Sequence, residues 1–173
     1  MDERGSQPAC RSRSVRCSMT STTQDDRRWL TAAIELSRRS APARTHYAVG
    51  AIVVGPDGTQ LAAGYTGETD PHLHAEEAAL MTQPLPGLSR ATLYSSLEPC
   101  TTRKSRPGTC TDLILATGIR RVVIALREPL IFADCRGVET LRAAGVAVTE
   151  IGDLGELVRQ INAHVLDGYP RVR

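Results

Sequence analysis

Four residues combine side-chain types and spacing that suit hydrolytic chemistry at a metal: His74, Glu76, Cys100 and Cys110. Catalytic zinc sites use three protein ligands and leave a fourth position for water, whereas structural sites fill all four. One imidazole and two thiols make three, so Zn2+ is the expected cofactor, held by His74, Cys100 and Cys110. Glu76 stands two residues after His74, and inside a helix such a pair points to opposite faces. Both can serve one centre only at a helix's first turn, with the metal off the end of the axis. Bound zinc lowers the pKa of its water to about 7. A carboxylate within hydrogen-bond reach can take that proton and deliver it later, which is the catalytic role expected of Glu76. The competing reading is a closed structural site with Cys135 or His72 as fourth ligand, and it leaves Glu76 without a task.

The elements that must carry these groups follow from apolar periodicity. Acidic residues open a helix at Asp25, Trp29, Leu30, Ala33, Ile34 and Leu36 recur at helical spacing, and Pro42 ends it. Ala48–Val54 and Leu61–Thr66 read as a hairpin about the Pro56-Asp57-Gly58 turn. A helix over His74–Met81 and a strand over Ala91–Ser95 come next. Cys110–Thr117 is expected to be helical and to close on Gly118, with Arg121–Ala125 as the following strand. Val138–Ala144 and Val146–Thr149 repeat that helix-glycine-strand rhythm, and a single last helix turns Leu154, Leu157, Val158, Ile161 and Val165 to one face. Strands joined by one helix run parallel, through a right-handed crossover. The fold class is therefore α/β: a three-layer α/β/α domain with a mixed sheet of about five strands. Cys110 would open its helix, where the positive end of the dipole favours a thiolate.

The bulk numbers bound the rest. A chain of 173 residues, 41% hydrophobic, suits one domain, taken as residues 24–173. Residues 1–23 are rich in Ser, Thr, Arg and Gln, have almost nothing to bury, and read as a disordered basic tail. Arg4, Arg11, Arg13 and Arg16 admit nucleic-acid contact or organelle targeting as alternatives, and Met19 is a candidate start. The net charge of +2, with both signs interspersed from residue 25 onward, argues against a nucleic-acid partner and for a small molecule. No apolar run reaches the roughly 18 residues of a membrane span and no secretory signal opens the chain, so a soluble cytoplasmic protein is expected. Five cysteines without an export signal point to free thiols or metal ligands.

The zinc-deaminase signature is H-x-E followed by P-C-x-x-C. The chain offers His74-Ala75-Glu76 and Pro99-Cys100, but nine residues, Thr101 to Thr109, separate Cys100 from Cys110. With Leu97-Glu98-Pro99-Cys100, a long basic loop, Cys110 and Ala116 to Val123, residues 25–165 resemble the deaminase domain of bacterial riboflavin-biosynthesis deaminase-reductases, which also lengthen this loop. The resemblance implies a cytidine-deaminase-like domain, the same zinc ligands and Glu76. It implies a diamino-ribosylamino-pyrimidinone 5′-phosphate substrate that loses a ring amino group as ammonia, and a homodimer or homotetramer. With the chain ending at Arg173, a stand-alone deaminase is expected. Ala75 and the strand at 48–50 would frame the base, with His46 nearby. His46-Tyr47 stands where the family has Asn-Pro, and the loop lacks the family's histidine and paired prolines.

Arg103, Lys104 and Arg106 are the candidate phosphate clamp, through charge-assisted bonds, against the alternative of a solvated loop. Glu98 either orients the metal loop or serves as a cap or ion-pair partner. Competing activities are a cytidine or deoxycytidylate deaminase, or a secondary-metabolism deaminase. A nucleic-acid-editing enzyme is disfavoured by the scarcity of aromatics for base stacking, one Trp, one Phe and four Tyr. A non-catalytic binding module is the remaining alternative.

Overall fold

The computed structural model describes residues 13–81, 87–132 and 135–167. Helix α1 (Arg13–Ser37) leads into the hairpin β1 (Gly50–Val54) and β2 (Gln60–Tyr65), then α2 (Ala75–Met81) and β3 (Thr92–Leu97). Helix α3 (Cys110–Thr117), β4 (Arg121–Leu126), α4 (Gly137–Ala143), β5 (Ala147–Glu150), α5 (Gly155–Ile161) and α6 (Ala163–Leu166) complete the order. The five strands form one sheet in the order β2-β1-β3-β4-β5. β1 pairs antiparallel with β2 and β3, while β3-β4 and β4-β5 are parallel, so the sheet is mixed as expected.

Helices α1 and α5 cover one face. Helices α2, α3 and α4 lie side by side on the other. Two glycines show how closely these layers approach. A Cβ on Gly50 would sit 2.1 Å from the Ala33 carbonyl oxygen of α1, and one on Gly64 would sit 2.4 Å from the Ala78 Cβ of α2. Any side chain there would prise a helix off the sheet. The core between the layers holds Leu30, Ile34, Leu93, Ile114, Ile124 and Leu141, all fully buried. Parallel pairing puts the ends of β3 and β4 together, Leu97 opposite Leu126. The start of β1 lies at the same end, because Ala51 pairs with Ser95 near the end of β3. This edge gathers the candidate residues.

Two expectations are corrected. Residues 13–23, read as part of a disordered tail, belong to α1, which contains no Gly or Pro from Arg13 to Ser37 and so meets no break. Residues 1–12 of that tail lie outside the described residues. The single last helix is two, divided at Asn162. The buried Asn162 amide receives the Ala48 N–H (2.7 Å) and donates to the Ala48 carbonyl (3.1 Å), acting as a strand-like partner where β1 has run out. Among the described residues no helix is long and apolar enough to cross a membrane.

Candidate active site

His74 directly precedes α2 and acts as its cap residue. Its N–H donates to Glu77 Oε2 (2.9 Å), and its carbonyl accepts from Ala78 N (3.0 Å). Its Nδ1 faces two sulfurs, Cys110 Sγ at 3.3 Å and Cys100 Sγ at 3.6 Å. Zn–S and Zn–N bonds of about 2.3 and 2.0–2.1 Å around a tetrahedral ion require an N···S edge of about 3.6 Å, so this trio fits zinc. His74, Cys100 and Cys110 are the one such cluster among the described residues. Neither Cys135, which donates instead to the Pro99 carbonyl (3.3 Å), nor His72 belongs to it. The site thus presents three ligands.

The start of α3 is fixed by a capping box in which Thr109 and Asp112 exchange hydrogen bonds. That cap aims the Cys110 N–H at Cys100 Sγ (3.4 Å), while Thr111 donates to the Cys100 carbonyl through both its N–H and its hydroxyl. The helix N-terminus therefore supports the Cys100 sulfur directly, where the sequence had suggested Cys110. The bond between the two thiols pulls Cys100 down to about 4, with burial opposing and His74 reinforcing. The same bond, burial and the Glu76 charge push Cys110 up. Two sulfurs sharing one proton are what a divalent cation would separate, by displacing that proton. Burial alone would lower His74, but the Cys100 sulfur outweighs it and the shift is upward.

Glu76 lies in the first turn of α2, buried, and accepts from the Ser95 hydroxyl (2.9 Å). Burial raises its pKa, with His74 pulling the other way and Cys100 adding to the rise. Ser95 also lies 2.8 Å from the Leu97 carbonyl, so its single proton serves one acceptor at a time. The sequence reading missed Ser95, although two consecutive serines at the inner end of an apolar strand were a visible signal.

These groups open onto a cavity of about 330 Å3, whose lining includes His46, Val49, Ala75, Glu76, Lys104 and Glu128. That volume suits a small molecule. The pKa of His46 is lowered, by burial first and then by the neighbouring His164 and His74, which favours its neutral imidazole. Glu128, also unanticipated, is pushed up to about 7 by burial. The three expected phosphate cations separate. The Arg103 guanidinium is committed to Glu77 (2.7 Å) and the His72 carbonyl (2.7 Å). Arg106 pairs with Asp70 (2.7 Å) and is not among the lining residues, whereas Lys104 lines the cavity and is exposed. Glu98 is buried and accepts from Val138 N (2.8 Å) and Glu128 N (3.1 Å), which ties the start of α4 and the loop after β4 to the Pro99-Cys100 turn.

The chain is similar to known proteins in sequence and fold. Residues 23–126 match the family described as the cytidine and deoxycytidylate deaminase zinc-binding region. The chain is 36% identical over 122 residues to a diaminohydroxyphosphoribosylamino-pyrimidine deaminase of Schizosaccharomyces pombe, covering 68% of this chain and 30% of that protein. It is 38% identical over 138 residues to the riboflavin biosynthesis protein RibD of Aquifex aeolicus, covering 79% and 37%. It therefore spans about a third of the length of these relatives. The structure of a diaminohydroxyphosphoribosylaminopyrimidine deaminase/5-amino-6-(5-phosphoribosylamino)uracil reductase from Thermotoga maritima superposes with a TM-score of 0.72 at 32% identity, over 84% of this chain and 41% of that one. With a His-Cys-Cys cluster able to hold a metal ion, a neighbouring glutamate and this match over residues 23–126, the chain belongs to the cytidine and deoxycytidylate deaminase zinc-binding family.

Proposed function

We propose that the protein removes a ring amino group from an aminopyrimidine by hydrolysis, releasing ammonia, with a diamino-ribosylamino-pyrimidinone 5′-phosphate as substrate. The observation that carries this reading is the buried Glu76 carboxyl beside a three-ligand cluster at the floor of a small-molecule cavity. When bound by His74, Cys100 and Cys110, zinc supplies Lewis acidity that lowers the pKa of an attacking water. Glu76 accepts one proton from that water and delivers it to the ring nitrogen, then takes the second proton from the attacking oxygen as the ring carbonyl forms and delivers it to the departing amine, which leaves as ammonia. Burial raises the pKa of Glu76, which makes it a stronger proton acceptor than an ordinary carboxylate. The Ser95 hydroxyl holds the carboxyl in place between transfers.

His46, Val49 and the backbone at Ala75 frame the base at the cavity's inner end. Lys104, which makes no hydrogen bond or ion pair among the described residues, is the cation for the 5′-phosphate, as a point charge at the rim. An assembly of two or four copies belongs to the same proposal and is read by light scattering. A cytidine or deoxycytidylate substrate is the second reading, favoured by the family description itself. Purified zinc-loaded protein is incubated with each compound and ammonia is followed. Release from the riboflavin precursor alone is expected, and release only from cytidine or deoxycytidylate would replace the first reading with the second.

A further inference from the structure

The loop between the two cysteine ligands supplies Thr102, Arg103, Lys104 and Ser105 to the cavity wall. It lies outside regular structure and two ion pairs fasten it, the half-exposed Arg106–Asp70 pair and the far more deeply buried pair of Arg103 with Glu77. The Arg103 guanidinium spreads its donors over three partners: Glu77 Oε2 at 2.7 Å, the His72 carbonyl at 2.7 Å and Ser105 Oγ at 3.0 and 3.1 Å. Its side chain is only 4% exposed and that of Glu77 only 12%. The same Glu77 oxygen accepts the His74 N–H. One carboxylate therefore joins the loop to the backbone of the metal-binding segment. Removing either member would leave the other as a buried, unpaired charge, and a lysine could not reproduce the guanidinium's planar fork.

We propose that Arg103 and Glu77 form a latch that holds the 101–109 loop as a wall of the pocket and so presents Lys104 to the substrate. Both are positioning residues that act through the loop. The latch makes substrate affinity depend on an ion pair whose carboxylate half lies outside the cavity lining.

Hydrogen–deuterium exchange on the zinc-loaded full chain tests it without reference to any substrate. In Arg103→Ala, amides of residues 101–109 should exchange at least about tenfold faster, because the loop's opening free energy falls. Zinc content should stay equal to wild type. Glu77→Gln, which keeps an acceptor for the His74 N–H but loses the charge, should show a smaller rise, and Lys104→Ala none. The double variant should exchange no faster than Arg103→Ala, since one contact is being broken twice. Should Arg103→Ala fail to fold, Arg103→Lys carries the same comparison.

A kinetic arm rests on the substrate proposed above. Arg103→Ala should raise KM about tenfold with kcat within about threefold, and Lys104→Ala should raise KM in the wild type but not in the Arg103→Ala background. Unchanged loop exchange, or a Lys104→Ala effect that persists in full when Arg103 is gone, overturns the latch. A wild type inactive on this substrate would refute the substrate assignment, while the exchange measurement still decides the latch.

Discussion

The metal wall of the pocket and the loop wall facing it are held by different means. His74, Cys100 and Cys110 stand at the head of α2, just past β3 and at the head of α3, where the backbone bonds of regular elements and a capping box set their directions. The loop wall depends on single side chains, Arg103 on Glu77 and Arg106 on Asp70, while Glu98, on the amides of Val138 and Glu128, braces the turn where the two walls meet. A helix end held by several backbone bonds barely moves when one neighbour changes, whereas a loop pinned by two side-chain ion pairs loosens when its buried one is lost. The candidate metal ligands are therefore set by the scaffold, and the loop wall of the cavity lies where substitutions can alter it without disturbing them.

The largest effects should come from the metal wall. Cys110→Ala leaves two ligands, so bound zinc should fall from about one per chain to near zero and activity should vanish with it. Atomic emission on dialysed protein measures this, and retained zinc would show that another residue completes the site. Glu76→Gln separates chemistry from metal binding. Zinc should remain while kcat drops about 10^3-fold, the scale of a lost general acid and base. Its loop exchange should match wild type, because Glu76 belongs to the rigid side. Activity equal to wild type would remove Glu76 from the mechanism.

The contrast also explains what the sequence could and could not show. The metal wall was legible because its residues sit where short-range rules apply. Cys110 and Gly118 bracket α3 as expected, and the placement of His74 and Glu76 at a first turn follows from their spacing. The parallel pairing of β3, β4 and β5 was equally readable from their connections. The loop wall was not, because the partner of Arg103 lies 26 residues away on α2, a distance no periodicity spans. Loop composition suggested three cations for a phosphate, and could not show that Arg103 pairs with Glu77 and Arg106 with Asp70. The Asn162 break escaped for a similar reason, since its amide is stabilised by Ala48, more than a hundred residues earlier. A helical apolar face continues through it undisturbed.

Where the two walls meet, Glu98 should give the next largest effect, in stability. Glu98→Ala strips the acceptors from two amides at 2.8 and 3.1 Å, Val138 N and Glu128 N. A loss of about 2–4 kcal/mol is expected, seen as a fall in Tm of roughly 5–15 °C. Glu98→Gln keeps one accepting oxygen and should lose about half as much. A Tm unchanged in Glu98→Ala would mean that these amides find water, and that the wall is more open than its contacts indicate.

The smallest effect is a pH dependence that reports how tightly the loop wall closes. Burial raises the Glu128 carboxyl to about 7 from an ordinary value of 4.5. Because the folded-state pKa lies above the unfolded one, the native state binds the proton more tightly, and stability declines as pH rises from about 4.5 to 7. Wild type minus Glu128→Gln should therefore fall by roughly 1–3 kcal/mol between pH 5 and pH 7.5 in denaturant titrations, the lower figure applying because the carboxyl faces a cavity that admits water. A rise in that difference would instead reveal a cation held against Glu128. In the Arg103→Ala background the same slope should flatten, because a released loop lets solvent reach the carboxyl and returns it toward its ordinary value. If the slope survives there, Glu128 is shielded by the sheet end and α4 alone, and the division between a rigid and an adjustable wall runs on the other side of this residue.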